Sequence, residues 1–265
     1  MELTIYQVDA FTDRLFSGNP AAICPLQEWL PDELLQAIAH ENNLSETAYF
    51  VPESNGFRLR WFTPTTEVKL CGHATLATSH VLYNHLGYQA DQVVFHTLSG
   101  QLTVQRTPEG YMMNFPTDTL RHVSAPLALI VALGITPVKV FLGREDYLAV
   151  LENRQQIAAL KPDFAAMRRL QGRGVIVTAP CDDNSADFIS RCFYPNAGID
   201  EDPVTGSAHT TMAPYWSDRL GKQELFARQI SRRGGSLKCR MQNDRVELIG
   251  QAVTYMIGNA HLENL

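Results

Sequence analysis

An imperfect internal repeat constrains this chain more than any other feature. Arg60-Trp-Phe-Thr-Pro64 is followed by Gly72 and then, fifteen residues later, by Gly87. Arg191-Cys-Phe-Tyr-Pro195 is followed in the same way by Gly206 and Gly221, again fifteen residues apart. Both copies read R-x-F-x-P and place a leucine before the closing glycine. Further on, Gly100-Gln-Leu102 and Gly235-Ser-Leu237 each open a strand-like run. The intervals between proline and first glycine differ, which is what loops tolerate. An ordered set of matches of this kind predicts two structurally similar halves of about 120 residues each.

The residue types of the repeat suggest its local structure. The R-x-F-x-P segments are rich in aromatic residues and end in proline, the signature of a strand running into a loop. Each stretch after a first glycine has helix length, and the closing glycine suits a C′ position. No Asp, Glu, Lys or Arg occurs between Gly72 and Gly87, and none from Ser207 to Ser217. A helix uncharged on every face is buried all round. Strand-like runs at 4–8, 21–24, 47–51, 57–62, 93–96, 101–106 and 111–115 surround the first such helix. Runs at 138–141, 147–151, 175–178, 187–193, 225–230, 236–240 and 246–249 surround the second. Amphipathic outer helices are expected from Pro31-Asp-Glu onward, over 124–133 before Gly134, and over 162–170. The expected class is α+β: two pseudo-symmetric halves, each a barrel-like sheet around one central apolar helix. The linker falls at 115–118, giving halves of 1–116 and 117–250, with 251–265 returning to the first half as a strand.

Composition narrows the function classes. The 265 residues carry 22 Lys+Arg and 28 Asp+Glu, a formal charge of −6. Nucleic acid and anionic membrane need clustered cations, and the nearest approach here is Arg232-Arg233, which reads as a solvated turn. No secretory leader and no apolar run of membrane-spanning length is visible, so the expected location is cytoplasmic. Five cysteines without CxxC pairing fit reduced thiols and argue against a disulfide framework or zinc site. His40-Glu41 lacks the second histidine of HExxH because Leu44 stands there. GxGxxG, a phosphate loop and GxSxG are missing as well. His80 and His85 are five apart and read as ordinary helix histidines. No metal and no cofactor is expected.

Cys71-Gly72-His73-Ala74-Thr75 and Asp202-Pro203-Val204-Thr205-Gly206-Ser207 each feed the N-terminus of a central helix. Free N–H groups and the positive end of the helix dipole suit such termini to anions. Two of them, related by the repeat and facing across a cleft, would hold a small carboxylated substrate. The alternative is that the glycines are turn residues and Ser207 an N-cap.

Four segments carry a resemblance: VDAFTDRLFSGNPAAIC near the start, SETAYFV, EVKLCGHAT and DEDPVTGSAHT. Together, and in this order over essentially the whole chain, they resemble the PhzF isomerase family of the diaminopimelate-epimerase fold superfamily. The resemblance implies two halves, each a β-barrel around a central α-helix, with the active site in the cleft between them. It also implies homodimers. Its catalytic carboxylate, in an SETA context, falls on Glu46. The histidine of its Gly-His pair falls on His73, after Gly72. The aspartate of its DPxTGS segment falls on Asp202, followed by Gly206 and Ser207.

The neighbours of Glu46 are largely apolar, an environment that raises a carboxylate pKa toward neutrality and suits it to moving a proton. His73 and Asp202 would orient the substrate or hold the proton between transfers. Gly72, Gly206 and Ser207 would bind carboxylate and stabilise an enolate-like intermediate. The expected activity is a cofactor-independent isomerase shifting a proton on a small carboxylated, cyclic or unsaturated metabolite. One rival is a racemase or epimerase using Cys71. Related two-thiol enzymes need a second cysteine in the DPVTG-like loop, where Val204 stands, so Cys71 reads as a buried small residue. A second rival is a catalytically silent binding protein on the same scaffold.

Overall fold

Strand pairing repeats along the chain in the same order. In a computed structural model, which describes residues 1–262, the first half contains β1 (Glu2–Ala10), β2 (Asn19–Pro25), α1 (Asp32–Asn42) and β3 (Glu46–Glu53). It continues through β4 (Gly56–Phe62), β5 (Glu67–Val68), α2 (Gly72–Asn84), β6 (Gln92–Thr97), β7 (Gly100–Thr107) and β8 (Gly110–Pro116). Its ladders run antiparallel for β1–β2, parallel for β2–β3, antiparallel for β3–β4, parallel for β4–β6, and antiparallel for β6–β7 and β7–β8.

The second half opens with β9 (Arg121–Val123), α3 (Leu127–Leu133), β10 (Lys139–Leu142), β11 (Asp146–Val150), α4 (Arg154–Ala159) and α5 (Phe164–Met167). There follow β12 (Gly174–Pro180), β13 (Phe188–Tyr194), β14 (Ile199–Asp202), α6 (Gly206–Leu220), β15 (Glu224–Gln229), β16 (Gly235–Gln242) and β17 (Arg245–Gly250). Here β10–β11 is antiparallel, β11–β12 parallel, β12–β13 antiparallel, β13–β15 parallel and β15–β16 antiparallel. The sequence of hands is that of the first half. Finally β18 (Ala252–His261) lies antiparallel on β1, as β9 does on β10. Two compact units result: Met1–Asn114 with the chain from Ile249 onward, and Phe115–Leu248.

The repeat motif has a side-chain meaning. Arg60 on β4 forks onto Glu67 of β5 at 2.7 and 2.8 Å and lies over the Phe62 ring at 5.0 Å. Arg191 on β13 forks onto Glu201 of β14 at 2.7 and 2.9 Å and lies over Phe193 at 5.1 Å. In both, R-x-F lets the guanidinium stack on a ring two residues ahead while bidentate bonds clamp the short strand that leads into the central helix. The clamp therefore fixes the chain immediately before the helix N-terminus.

Each central helix solves the problem of polar atoms in an apolar place locally. In α2, Thr75, Thr78 and Ser79 donate to the carbonyls of Cys71, Ala74 and Thr75 at 2.6, 2.7 and 3.0 Å, which satisfies hydroxyls with no solvent to bond. The helix packs on β1, β2, β3, β7 and β18, strands spread across the sheet, so the sheet curls about it. In α6, Pro214 lacks the N–H that the Thr210 carbonyl would receive. Asp118 N supplies that bond at 3.1 Å, and Thr211 Oγ1 donates to Asp118 Oδ2 at 3.1 Å. Trp216, fully buried, stacks on Phe188 with centroids 5.6 Å apart and donates to Thr178 Oγ1 at 2.9 Å.

Several expectations need correction. Gly221 is the left-handed C-cap of α6, but α2 ends at His85, and Gly87 with φ 69° lies two residues beyond it. The helix expected over 124–133 starts at Leu127, because Pro126 occupies the N-cap. That expected over 162–170 shortens to Phe164–Met167 behind the Asp163 cap, and α4, capped by Asn153, was not foreseen. The short strands β5, β9 and β14 carry too few residues to show a period. Residues 263–265 of the expected returning strand lie outside the described residues. No helix among the described residues is long and apolar enough to cross a membrane.

Candidate functional site

In the first unit, Glu46 is the first residue of β3, paired with Ala21 of the parallel strand β2. It enters the strand directly after α1, whose cap Asn43 is left-handed at φ 46°. Asn42 Nδ2 donates to Thr47 Oγ1 at 3.1 Å, tying the turn to the strand start. Cys71 is the extended N-cap of α2, so Gly72 is the first helical residue and His73 the second. The register brings the imidazole back toward the strands: His73 Nε2 lies 3.3 Å from Glu46 Oε2. On its other side, Nδ1 lies 3.3 Å from Asn19 Nδ2 and 3.5 Å from Cys71 Sγ. His73 is 6% exposed. Burial pushes its pKa down to about 3, against the opposing pull of a hydrogen bond with the Pro20 backbone, so the ring is neutral at pH 7. A neutral imidazole is both donor and acceptor, the form needed to relay a proton beside a carboxyl group.

In the second unit, Asp202 ends β14 opposite Cys192 and is buried. Its Oδ2 accepts a hydrogen bond from Thr205 Oγ1. Gln229 holds both ends of this turn, donating to the Asp202 carbonyl at 2.7 Å and accepting from Thr205 N at 3.0 Å. Thr205 is the N-cap of α6, so Gly206 is the first helical residue and Ser207 the second. Ser207 is therefore not the N-cap. Its Oγ accepts from Arg173 Nη2 at 3.2 Å, which leaves its own O–H to donate elsewhere. Equivalent turns thus put a Gly at the first helical position in both units, with His73 and Ser207 at the second.

Residues 8–258 match the family model described as "Phenazine biosynthesis-like protein". The chain belongs to this family. An isomerase of Pseudomonas aeruginosa named as uncharacterised is 53% identical over 99% of this chain and 100% of its own. The crystal structure of a PhzF-family protein from Enterococcus faecalis superposes with a TM-score of 0.95 at 44% identity, covering 99% of this chain and 100% of that one. A hydroxyproline epimerase from Agrobacterium vitis shares the fold alone, with a TM-score of 0.63 at 9% identity over 98% and 91% of the two chains. The resemblance and the epimerase-like α+β fold read from the sequence are thereby established, as is membership of a family whose relatives carry the name isomerase.

Motif reasoning overlooked three polar residues of this PhzF-family chain. Asn19, wholly buried against His73, stood in the quoted SGNP stretch but was given no role. Gln229 closes the Asp202 turn from β15, and nothing at its position in sequence marks it. Arg173 was signalled by Gly172-Arg173-Gly174. Its Nε donates to Asp146 Oδ1 at 3.0 Å, its Nη2 donates to Asp146 Oδ2, and it stacks over Tyr194 at 4.7 Å. A Cβ on Gly174 would meet the Phe193 carbonyl oxygen at 2.2 Å and the Tyr194 ring at 2.4 Å. The glycine thus lets β12 approach β13 closely enough to seat the guanidinium on the ring. Gly174→Ala is expected to cost about 1–3 kcal/mol from overpacking and to lower the melting temperature by roughly 3–10 °C, measured by thermal denaturation. An unchanged melting temperature would contradict this close packing. Glu46, Cys71 and His73 also bring three metal-ligating atoms within 4.8 Å of one another.

Proposed function

We propose that this PhzF-family chain is a cofactor-independent isomerase moving a proton on a small carboxylated, cyclic or unsaturated metabolite, with Glu46 as general acid and base. The observation that carries it is the Glu46–His73 pair: a carboxyl group 3.3 Å from a buried imidazole at the start of the central helix. In this reading the Glu46 carboxylate takes a proton from carbon, leaving the electron pair delocalised into an enolate. The resulting acid returns the proton to another carbon of the same system. His73 supports both steps by donating to the carboxylate or accepting from the acid. Asp202 orients the turn before α6 through Thr205. Gly72, Gly206 and Ser207 provide amide and hydroxyl donors for carboxylate and developing oxyanion. A cytoplasmic homodimer completes the reading implied by the resemblance.

The test is proton NMR in deuterium oxide against a panel of small carboxylated metabolites. Wild type is expected to wash out a carbon-bound proton of at least one of them, and Cys71→Ser is expected to do so within about threefold of the wild-type rate, since its thiol takes no part in the transfer. Loss of exchange in Cys71→Ser would favour the thiol racemase. A panel that binds without any exchange would favour the silent binding protein.

A further inference from the structure

Zinc sites are sought in sequences by short ligand spacings, and none occurs here. The fold nevertheless gathers three ligand types: a carboxylate at the start of β3, a thiol at the α2 N-cap and an imidazole two residues after it. We propose that Glu46, Cys71 and His73 form a binding site for a thiophilic divalent cation of the zinc type. A tetrahedral zinc with bonds of about 2.0–2.1 Å to nitrogen and oxygen holds those two atoms about 3.3 Å apart. His73 Nε2 and Glu46 Oε2 stand at 3.3 Å, so the pair presents the bite of such an ion without rearrangement. The Cys71 sulfur lies 3.5 Å from Nδ1 of the same ring, and one donor atom from each of the three residues falls within 4.8 Å of the others. A thiolate bonded at about 2.3 Å sits roughly 3.5 Å from its fellow ligands, so rotation about the Cys71 Cα–Cβ bond that swings the sulfur from the Nδ1 edge of the ring toward Nε2 completes a three-ligand set.

The donor chemistry is selective. A mixed sulfur, nitrogen and oxygen set favours zinc or cobalt over magnesium or calcium, which take oxygen ligands. The Asn19 amide stands 3.3 Å from the far ring nitrogen; turned to present its oxygen, it would accept the Nδ1 proton of a histidine bound through Nε2, the outer-sphere contact that orients such a ligand. Three protein ligands leave a fourth position for water or a substrate oxygen. Binding displaces the thiol proton to solvent, so affinity rises with pH. An occupied site holds Glu46 and His73 on the metal and removes them from proton transfer. Binding stands on the donor geometry alone, whereas inhibition rests on Glu46 being the proton carrier.

Cobalt(II) added to the purified, metal-stripped chain tests this without a substrate. Wild type is expected to develop thiolate-to-cobalt charge-transfer absorption in the near ultraviolet, and zinc is expected to abolish it by displacement. Cys71→Ser should lose the band and weaken zinc binding by roughly tenfold or more, while Cys181→Ser, at the partly exposed thiol, should keep both. Glu46→Gln retains thiol and imidazole and should keep the band with weaker affinity. No band in wild type, or one that persists in Cys71→Ser, overturns the site. Binding that leaves deuterium exchange undiminished would overturn the Glu46 mechanism and leave the site standing.

Discussion

Lowering the pH from 7.5 to 5.0 is expected to destabilise the fold by on the order of 4 kcal/mol through two buried histidines. His73 and His209 are 6% and 0% exposed, and burial pushes their pKa values down from 6.5 to about 3 and about 4. For His209 the opposing influence is its hydrogen bond to the Thr205 carbonyl at 2.8 Å. Above pH 6.5 both rings are neutral in the folded and unfolded chain, and the stability is fully present. Below 6.5 the unfolded chain takes up protons that the folded chain excludes, so stability falls with pH until the folded values are reached. At pH 5.0 each ring has crossed about 1.5 units of this window, or roughly 2 kcal/mol. Urea unfolding at pH 7.5, 6.5, 5.5 and 5.0 checks the slope. His209→Gln, which has no proton to exclude, should remove its own share of roughly 2 kcal/mol between 6.5 and 5.0, leaving the slope due to His73 and to His80, whose pKa burial also pushes down to about 4. A midpoint unchanged across that interval would contradict neutral burial of both rings.

Glu46→Gln is expected to lower kcat/KM by about 10²–10⁴-fold, the range that a positioned general acid–base group supplies. The substitution keeps shape and removes only the ability to exchange a proton, so the melting temperature should stay near that of wild type. Glu46→Asp draws the carboxyl group back by about one methylene and should retain partial activity, with a loss of roughly 10–100-fold. A structural role predicts the opposite ordering: stability falls in both variants, and activity tracks the folded fraction. Measuring kcat and KM separately distinguishes them, because a lost proton carrier depresses kcat whether or not substrate binding changes.

The repeat made the fold legible for a physical reason. Arg60 and Arg191 must each stack on a ring and fork onto a glutamate, and two helices, uncharged throughout in α2 and over 207–217 in α6, must each bury their faces against strands; requirements that strict leave matching residues at matching intervals. The longer strands followed from their own residues, whereas β5, β9, β14 and α4 did not and α5 came out shorter than expected, because helices of one or two turns depend on caps such as Asn153 and Asp163 more than on period. Glu46 and His73 were chosen by resemblance, and chain folding set them 3.3 Å apart across 27 positions. Asn19, Arg173 and Gln229 escaped because each acts on a residue far along the chain: Asn19 on His73, Arg173 on Ser207, Gln229 on Thr205. Local sequence holds no trace of such partners beyond the glycines beside Arg173.

The central claim is that Glu46 carries the proton, and the deuterium content of the isomerised product in deuterium oxide tests it most directly. Wild type should place solvent deuterium at the reprotonated carbon, while Glu46→Gln, equally folded and binding the same substrate, should form product and exchange the substrate proton more slowly by about 10²-fold or more. Exchange by Glu46→Gln at the wild-type rate would contradict the claim.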